Sequence, residues 1–178
     1  MTDADRFEGF VREYQDRVFA TAVRLLGREA EAEDVAQTTF LRAFEHFREV
    51  GSNPAAAGWL KTVTTNLCLN HLSRYRARWQ FFGELERDVD EGRGLAARLA
   101  LMPTAAEELE RSERQERVEH ALRALPDHQR VPLVLFHFEE MSYQEIADAL
   151  GVSLAKVKSD IHRGREVLKQ ELSIHGSR

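Results

Sequence analysis

The stretch that most constrains the fold is residues 142–165, which carries the signals of two helices joined by a tight turn. Ser142 and Glu145 form a capping box, in which the hydroxyl accepts from a free amide of the first turn and the carboxylate reaches back. Gly151 can supply the positive φ that ends a helix, and Ser153 is a good N-cap for the next one. Two helices joined by so short a turn predict a helix-turn-helix.

The second helix of this motif has two unlike faces. Apolar or small residues recur at helical spacing and are expected to face inward: Val157, Ile161, Gly164 and Leu168. The polar residues are expected to face outward, where Lys, Arg and Ser can read base edges or hold phosphates in a major groove: Lys156, Lys158, Ser159, Asp160, His162, Arg163 and Arg165. The alternative is a solvated basic helix, and the attached turn favours DNA binding.

Length and composition exclude several classes of protein. The 178 residues suffice for one ordinary domain or two small ones. Cys68 is the single cysteine, so no internal disulfide or zinc site is expected, which suits a reducing cytosol. No apolar run approaches a membrane span and the N-terminus is acidic, so a cytoplasmic location is expected. Runs of β-branched residues are scarce, which predicts an all-α fold.

The scattered His and carboxylate residues show no spacing typical of a nucleophile with its base or of a metal site. We therefore expect no enzyme activity, no cofactor and no metal. The net charge of −5 conceals a segregation of charge, because the cations concentrate in residues 59–82 and 153–178. A polyanionic partner would meet two basic stretches rather than an acidic protein.

Residues 59–82 interleave cations with aromatic side chains and contain no acidic residue. Stacking of a base on an aromatic ring is worth about 1–3 kcal/mol, and cations hold the backbone, so this composition suits single-stranded or partly opened nucleic acid. The alternative is a core helix with a basic C-terminal turn, which the helix dipole also favours. Leu60, Val63, Leu67 and Leu72 are expected to pack inward, leaving Thr64 and Thr65 on the polar side.

Further amphipathic helices are predicted at residues 5–26, 30–47, 105–125 and 128–138. Residues 48–58 are predicted to be a loop, and residues 83–103 an acidic linker broken by glycines. The apolar side of the second helix is expected to consist of Ala36, Phe40, Ala43, Phe44 and Phe47. Four residues lie off that stripe, and composition alone makes them a solvated face: Asp34, Gln37, Thr38 and Arg42. Leu109 is expected on the buried face of helix 105–125.

Motifs in both halves of the chain resemble those of bacterial sigma factors, and the presence of only two domains resembles the extracytoplasmic-function group of the sigma-70 family. Residues 33–43, Glu-Asp-Val-Ala-Gln-Thr-Thr-Phe-Leu-Arg-Ala, resemble the core-binding segment. Trp59-Leu60 through Asn66 to Arg78 resembles the melting and upstream-recognition helices. The promoter-binding domain is matched by Leu125-Pro126, Gln129-Arg130, Glu145-Ile146-Ala147, Leu150-Gly151-Val152-Ser153 and Val157-Lys158-Ser159.

The resemblance implies two small helical domains, sigma region 2 at residues 1–82 and sigma region 4 at residues 104–178, joined by the linker 83–103. It assigns contact with the clamp helices of the largest polymerase subunit to Asp34, Gln37, Thr38 and Arg42. It assigns the minus-ten element and strand melting to Ser52, Asn53, Trp59, Lys61, Asn66, Asn70, Arg74 and Arg78. It assigns the minus-thirty-five element to the polar face of the last helix.

The implied partners are core RNA polymerase, through its clamp helices and flap, promoter DNA, and an anti-sigma factor that holds the protein at the membrane. No small-molecule substrate is implied. Four residues depart from the family pattern: Thr38 stands where Glu is usual, Asn70 where Asp is common and Asp160 where Arg is common, and Pro132 is also atypical. A carboxylate at position 160 would repel phosphate but could accept from a cytosine amino group.

Two other functions fit part of the chain. A free-standing transcriptional regulator would bind duplex DNA through residues 142–165 alone. A mimic of the fold could titrate a regulator without binding DNA, although such a protein need not keep its basic faces. The basic, aromatic stretch at residues 59–82 and the Asp34–Gln37 face favour an initiation factor over both.

Overall fold

A computed structural model describes residues 1–73 and 105–175, which form eight helices and no strand within those ranges. This confirms the predicted all-α class. The chain divides into two compact units, residues 1–76 and 77–178, and each is described by itself. In the described ranges, no helix has both the length and the apolar character needed to cross a membrane.

The first unit begins with α1, Asp3–Leu26, which starts two residues before the predicted position. Its start is fixed by a capping box: the Thr2 hydroxyl accepts from the amide of Asp5 at 3.2 Å, and the Asp5 carboxylate accepts from the amide of Thr2 at 2.7 Å. These bonds from Thr2 lower the pKa of Asp5. Gly27, at φ 73°, ends the helix as predicted.

Three more helices complete the first unit: α2 at Glu29–Glu45, α3 at Phe47–Val50 and α4 at Ala56–Leu72. The prediction of a continuous loop at residues 48–58 was therefore wrong, because both ends of that segment are helical. The helix α2 packs on α1 and α4. Its buried residues are Ala32, Val35, Thr39 and Ala43. The predicted apolar side is confirmed for Ala43, which is buried, and for Ala36, Phe40 and Phe47, which pack half-buried against the core, whereas the Phe44 side chain is exposed.

The contact between α2 and α4 contains two buried threonines. The hydroxyls of Thr39 and Thr64 lie 3.3 Å apart, and both residues are fully buried. Each hydroxyl also bonds a carbonyl of its own helix, Thr39 to Val35 at 2.9 Å and Thr64 to Leu60 at 2.7 Å. Because their polar atoms are satisfied, Thr64 and its buried neighbour Thr65 lie in the core, and the expectation that they belong to a polar face was wrong.

An aromatic cluster connects α1 to α3 and to the turn that follows it. The Phe47 ring meets the rings of Phe7 and Phe10 edge-on, with centroids 5.1 and 5.5 Å apart. A Cβ at Gly51 would lie 2.5 Å from the Phe47 ring, so only glycine permits this close approach. The turn after Gly51 is thereby held against the core of the first unit.

The second unit contains α5 at Ala105–Ala124, α6 at Asp127–His137, α7 at Tyr143–Leu150 and α8 at Leu154–His175. Its largest fully buried side chains come from α5, α6, α7 and α8: Leu122, Val131, Pro132, Val134, Leu135, Ile146, Val157 and Ile161. Arg130 joins the start of α6 to the end of α5 by donating to the Leu125 carbonyl at 2.9 Å and to the Asp127 carboxylate at 2.5 Å.

Residues 108–117 of α5 bury none of their side chains. Every described side chain from residue 108 to 117 is exposed, and the prediction that Leu109 is buried was wrong, since it is 63% exposed. Apolar residues are too sparse in this segment for one face to be covered. The predicted linker 83–103 and the capping residue Thr104 lie outside the described residues.

Candidate nucleic-acid interface

The predicted helix-turn-helix is confirmed in its details. The Ser142 hydroxyl accepts from the Glu145 amide at 3.1 Å, and the Glu145 carboxylate accepts from the Ser142 amide at 2.8 Å. Gly151, at φ 66°, ends α7 in the left-handed conformation. The Ser153 hydroxyl accepts from the Lys156 amide at 3.1 Å and so caps α8. The angle between α7 and α8 is thus set by short-range hydrogen bonds on both sides of the turn.

The inward face of α8 is also as predicted. Val157, Ile161 and Gly164 are buried, and Leu168 is half-buried. A Cβ at Gly164 would lie 3.0 Å from Leu133 Cδ1, so the missing side chain lets α8 approach α6 closely. This contact fixes the side of α8 that remains available to a partner.

Lys156 and Asp160 lie on the wrong side for the role predicted from the sequence. The Lys156 Nζ donates to Asp160 Oδ2 at 2.5 Å, and the two side chains are only 6% and 5% exposed. Positions 156, 160 and 164 form one i, i+4 row, which leads to the buried Gly164 and belongs to the flank of the core. The Asp160 carboxylate is therefore withdrawn from solvent, and contact with a cytosine amino group is not available to it.

A half-buried histidine adjoins this ion pair. Burial raises the pKa of Asp160, and the hydrogen bond and positive charge of Lys156 oppose that rise. Burial also lowers the pKa of His128, on which Asp160, Lys156 and Arg163 all act electrostatically. The start of α6 and the first turns of α8 are thus coupled through charge as well as through packing.

Arg165 contacts two residues of α6. Its Nε donates to His137 Nε2 at 3.1 Å, and its guanidinium lies 5.5 Å from the centroid of the Phe136 ring. Burial and the neighbouring Arg165 lower the pKa of His137, and an unprotonated Nε2 is what the observed hydrogen bond requires. Arg165 therefore joins α8 to α6, although its side chain is half-exposed, as are those of His162 and Arg163.

The outward face of α8 keeps four of the seven predicted residues. Lys158 is exposed, and three others are half-exposed: Ser159, His162 and Arg163. The structure adds Leu154 and Ala155, which are both exposed in the first turn of the helix. Sequence reasoning missed them because it searched for polar side chains, although the N-terminal residues of a recognition helix are the ones that meet base edges.

In the first unit, the turn after Gly51 presents Ser52 and Asn53 to solvent. The Asn53 side-chain carbonyl accepts from the Ala55 amide at 2.9 Å, and the Asn53 carbonyl accepts from the Ala56 amide at 3.0 Å, so the turn leads directly into α4. Trp59 is half-buried, with its ring 6.2 Å from that of His46. The predicted minus-ten residues of the turn and of the start of α4 are thus close in the chain and well ordered by hydrogen bonds.

Along α4, Asn66 and Asn70 are exposed and lie one turn apart, while Lys61 is half-exposed. The face that Asn66 and Asn70 share is opposite the buried row of Leu60, Thr64, Cys68 and Leu72, and Lys61 lies outside that face. Other predicted residues lie outside the described ranges: Arg74, Tyr75, Arg76, Arg78, Trp79, Phe81 and Phe82. The structure therefore brings together the first part of the predicted melting surface only.

The predicted polymerase-binding residues share one side of α2. All four are exposed: Asp34, Gln37, Thr38 and Arg42. The structure adds two apolar side chains at the same surface, Leu41 at 65% and Phe44 at 59% exposed. Beside them, an open groove of about 910 Å³ runs between α1 and α2 and is lined by Phe7, Val11, Gln15, Asp16, Phe19, Glu33, Ala36, Gln37, Phe40, Leu41 and Phe44.

Within residues 1–73 and 105–175, no group of His, Cys, Asp and Glu side chains is arranged to hold a metal ion. The three candidate surfaces, on α8, on the turn with α4 and on α2, consist of side chains that bind by charge, hydrogen bonding and apolar contact.

Comparison with known proteins gives matches in both units. Residues 10–78 match the family described as sigma-70 region 2, and residues 115–168 match sigma-70, region 4. The ECF RNA polymerase sigma factor SigW of Bacillus subtilis is 30% identical over 96% of this chain and 90% of its own length. The corresponding factor SigE of Mycolicibacterium smegmatis is 36% identical over 96% of this chain and 63% of its own length. A solved structure of the sigma factor RpoE with the anti-sigma factor NepR from Bartonella quintana aligns with 97% of this chain and 98% of that chain, at 21% identity and a TM-score of 0.48.

Proposed function

The chain belongs to the sigma-70 family, in its extracytoplasmic-function group, and we propose how its two units divide the work of promoter recognition. A sigma factor binds core RNA polymerase and directs it to promoters, and this is the function of the chain. We assign polymerase binding and the minus-ten element to residues 1–82, the connection to residues 83–103, and the minus-thirty-five element to residues 104–178.

In the second unit, α8 enters the major groove of the minus-thirty-five element. Lys158, Ser159, His162 and Arg163 carry the contacts, because they form the outward face of a helix whose start is fixed by the Ser153 cap. Lys156 and Asp160 support the helix from its flank. Arg165 supports it through its bond to His137 at 3.1 Å.

In the first unit, the turn of Ser52 and Asn53 receives unpaired bases of the minus-ten element, with Trp59 and Lys61 behind it. The close approach of Gly51 to Phe47 supports this assignment, because it holds the turn in place without a bound ligand. Asn66 and Asn70 continue the surface toward the duplex edge. Arg74 and Arg78 stay predictions made from the sequence alone. Taking a base out of the stack costs a few kcal/mol, so a turn that is already ordered lowers the remaining cost.

The clamp helices of the largest polymerase subunit bind along the exposed side of α2. Asp34, Gln37, Thr38 and Leu41 fall on one helical stripe, with Arg42 and Phe44 beside it. The Thr38 hydroxyl donates to the Asp34 carbonyl at 3.0 Å, so the position that departs from the family's Glu is engaged by its own helix. Leu41 and Phe44 supply apolar contact of the kind that dominates the centre of an interface.

A regulator that acts on DNA alone has no use for this α2 surface, and that single observation carries the assignment to transcription initiation. The proposed place of action is the cytoplasm, where the polymerase is found. The flap contact and an anti-sigma factor stay predictions.

Run-off transcription tests the proposal. Core polymerase supplied with the purified full-length chain and a library of genomic promoter fragments should give transcripts that neither component gives alone. Avid binding of duplex DNA by a chain that never associates with core polymerase would instead support the free-standing regulator.

A further inference from the structure

The first turn of α8 presents an apolar patch to the solvent. Leu154 is 38% exposed and Ala155 is exposed beside it, at the end of the helix where a helix-turn-helix meets base edges. Single exposed leucines are common on protein surfaces, but at this end of a helix-turn-helix an apolar side chain lies where it can contact a base. The patch adjoins the exposed Lys158, one turn further along the helix.

The cation nearest to this patch in the sequence is turned away from it. Lys156 is bound to Asp160 at 2.5 Å and is 6% exposed, so the first turn of α8 offers no cation at that position. The surface that meets the bases there is made of methyl groups together with the Ser153 cap. Only one feature of the major groove is matched by a methyl surface, and that is the C5-methyl group of thymine.

We propose that Leu154, with Ala155 beside it, reads the C5-methyl group of a thymine in the minus-thirty-five element. This inference rests on the proposed promoter-binding role of α8 and adds a base preference to it. The small side chain of Ala155 lets the helix approach the groove, and Leu154 covers the methyl group from the side. Lys158 and Arg163 then hold the neighbouring phosphates or bases.

The test uses holoenzyme made from the full-length chain and core polymerase. A duplex with a randomised upstream segment is first selected for binding, and each thymine in the selected element is then replaced by deoxyuridine, which removes only the C5-methyl group. With the unsubstituted protein, one such replacement should raise the Kd about fourfold, the effect expected when the burial of one methyl group is lost. The Leu154→Ala variant should be insensitive to the same replacement.

Leu109→Ala is the matched control, because it truncates another exposed leucine of the same unit and should keep the sensitivity to deoxyuridine. The inference is overturned if no thymine in the selected element is sensitive, or if Leu154→Ala keeps the full sensitivity. Such a result leaves the proposed function intact, since an upstream element was still selected. Failure to select any upstream sequence would remove the proposed function and this inference together.

Discussion

The Nζ atom of Lys156 lies 2.5 Å from Oδ2 of Asp160, one helical turn further along the recognition helix, and both side chains are almost excluded from solvent. A lysine in this helix would ordinarily be assigned to DNA. Here it neutralises a buried carboxylate on the flank of the core. The pair therefore helps to fix the orientation of α8, and we propose that the residues outside it contact the promoter.

Replacing Asp160 with Ala should destabilise the second unit by about 3–5 kcal/mol, because the lysine would be left as an unpaired buried charge. Hydrogen exchange of peptides from residues 142–165, measured on the full-length chain, reports this loss. The double variant Lys156→Met, Asp160→Leu should recover most of the protection, because it removes both charges and restores apolar packing. Unchanged exchange in Asp160→Ala would show that the pair contributes no stability.

The second unit should lose stability as the pH falls below about 6.5, the ordinary histidine value. Burial lowers the pKa of His128 and of His137 in the folded chain, so below that pH the unfolded chain binds protons that the folded chain does not. The histidine contribution is therefore complete above 6.5 and is lost as the pH falls toward the lowered values. Asp160, whose pKa is raised, acts in the opposite sense as the pH rises above the ordinary carboxyl value of 3.8.

His137→Gln separates the titration of His137 from its structural role, because glutamine can still accept a hydrogen bond from Arg165 but does not titrate. Hydrogen exchange of peptides from residues 127–165, corrected for the intrinsic effect of pH, should show a weaker pH dependence in this variant. His120→Gln, at an exposed position of α5, is the control and should behave as the unsubstituted chain does. An equal slope in all three proteins would contradict the prediction.

Gly51→Ala should impair promoter opening, because the new Cβ would meet the Phe47 ring at 2.5 Å and displace either the ring or the turn of Ser52 and Asn53. Opening of a duplex promoter, followed by permanganate reactivity of unpaired thymines, should fall by roughly tenfold if about 1.4 kcal/mol of positioning is lost. A promoter with a pre-melted minus-ten region should be affected less.

Gly58→Ala is the control for this change, since nothing lies within 4 Å of its new Cβ and alanine favours the α4 helix. Opening by Gly58→Ala should match that of the unsubstituted chain. Equal loss in both glycine variants would point to the helix rather than to the turn.

Leu41→Asp should weaken binding to core polymerase by roughly tenfold or more, because a charge would replace apolar area at the centre of the proposed interface. Titration of the labelled full-length chain with core polymerase measures this change. Leu109→Asp changes an equally exposed leucine, 63% against 65%, and should leave the affinity unchanged. Normal binding by Leu41→Asp would exclude this side of α2 from the interface.

Local signals in the sequence predicted the parts of the fold that short-range chemistry determines. The capping box of Ser142 and Glu145, the left-handed Gly151 and the Ser153 cap all lie within a few residues of their partners, and the inward row of α8 follows from helical periodicity. The all-α class, the motifs in both halves of the chain and the outward position of Lys158 were predicted from the same local signals. The resemblance to sigma factors added the roles, and the assignment of each role to a residue stays a prediction.

The errors at polar positions share one physical cause: a polar residue enters the core when a partner for its polar atoms is present there. Thr39 and Thr64 are buried because each hydroxyl finds an acceptor, and Asp160 is buried because Lys156 reaches it. Composition shows that burying these groups is costly, but it does not show which partner will bind them in the folded chain. The exposed Leu109 and Leu41 are the reverse case, apolar side chains to which the unit itself supplies no covering surface.

The internal charge pair of α8 has a practical consequence for engineering. Because Lys156 and Asp160 form an ion pair with each other, the packing of α8 can be kept constant while other positions are randomised, namely Leu154, Ala155, Lys158 and His162. A library varied at those positions could be screened for new promoter sequences while the packing of α8 stays unchanged. Variants selected in this way offer a route to orthogonal gene circuits.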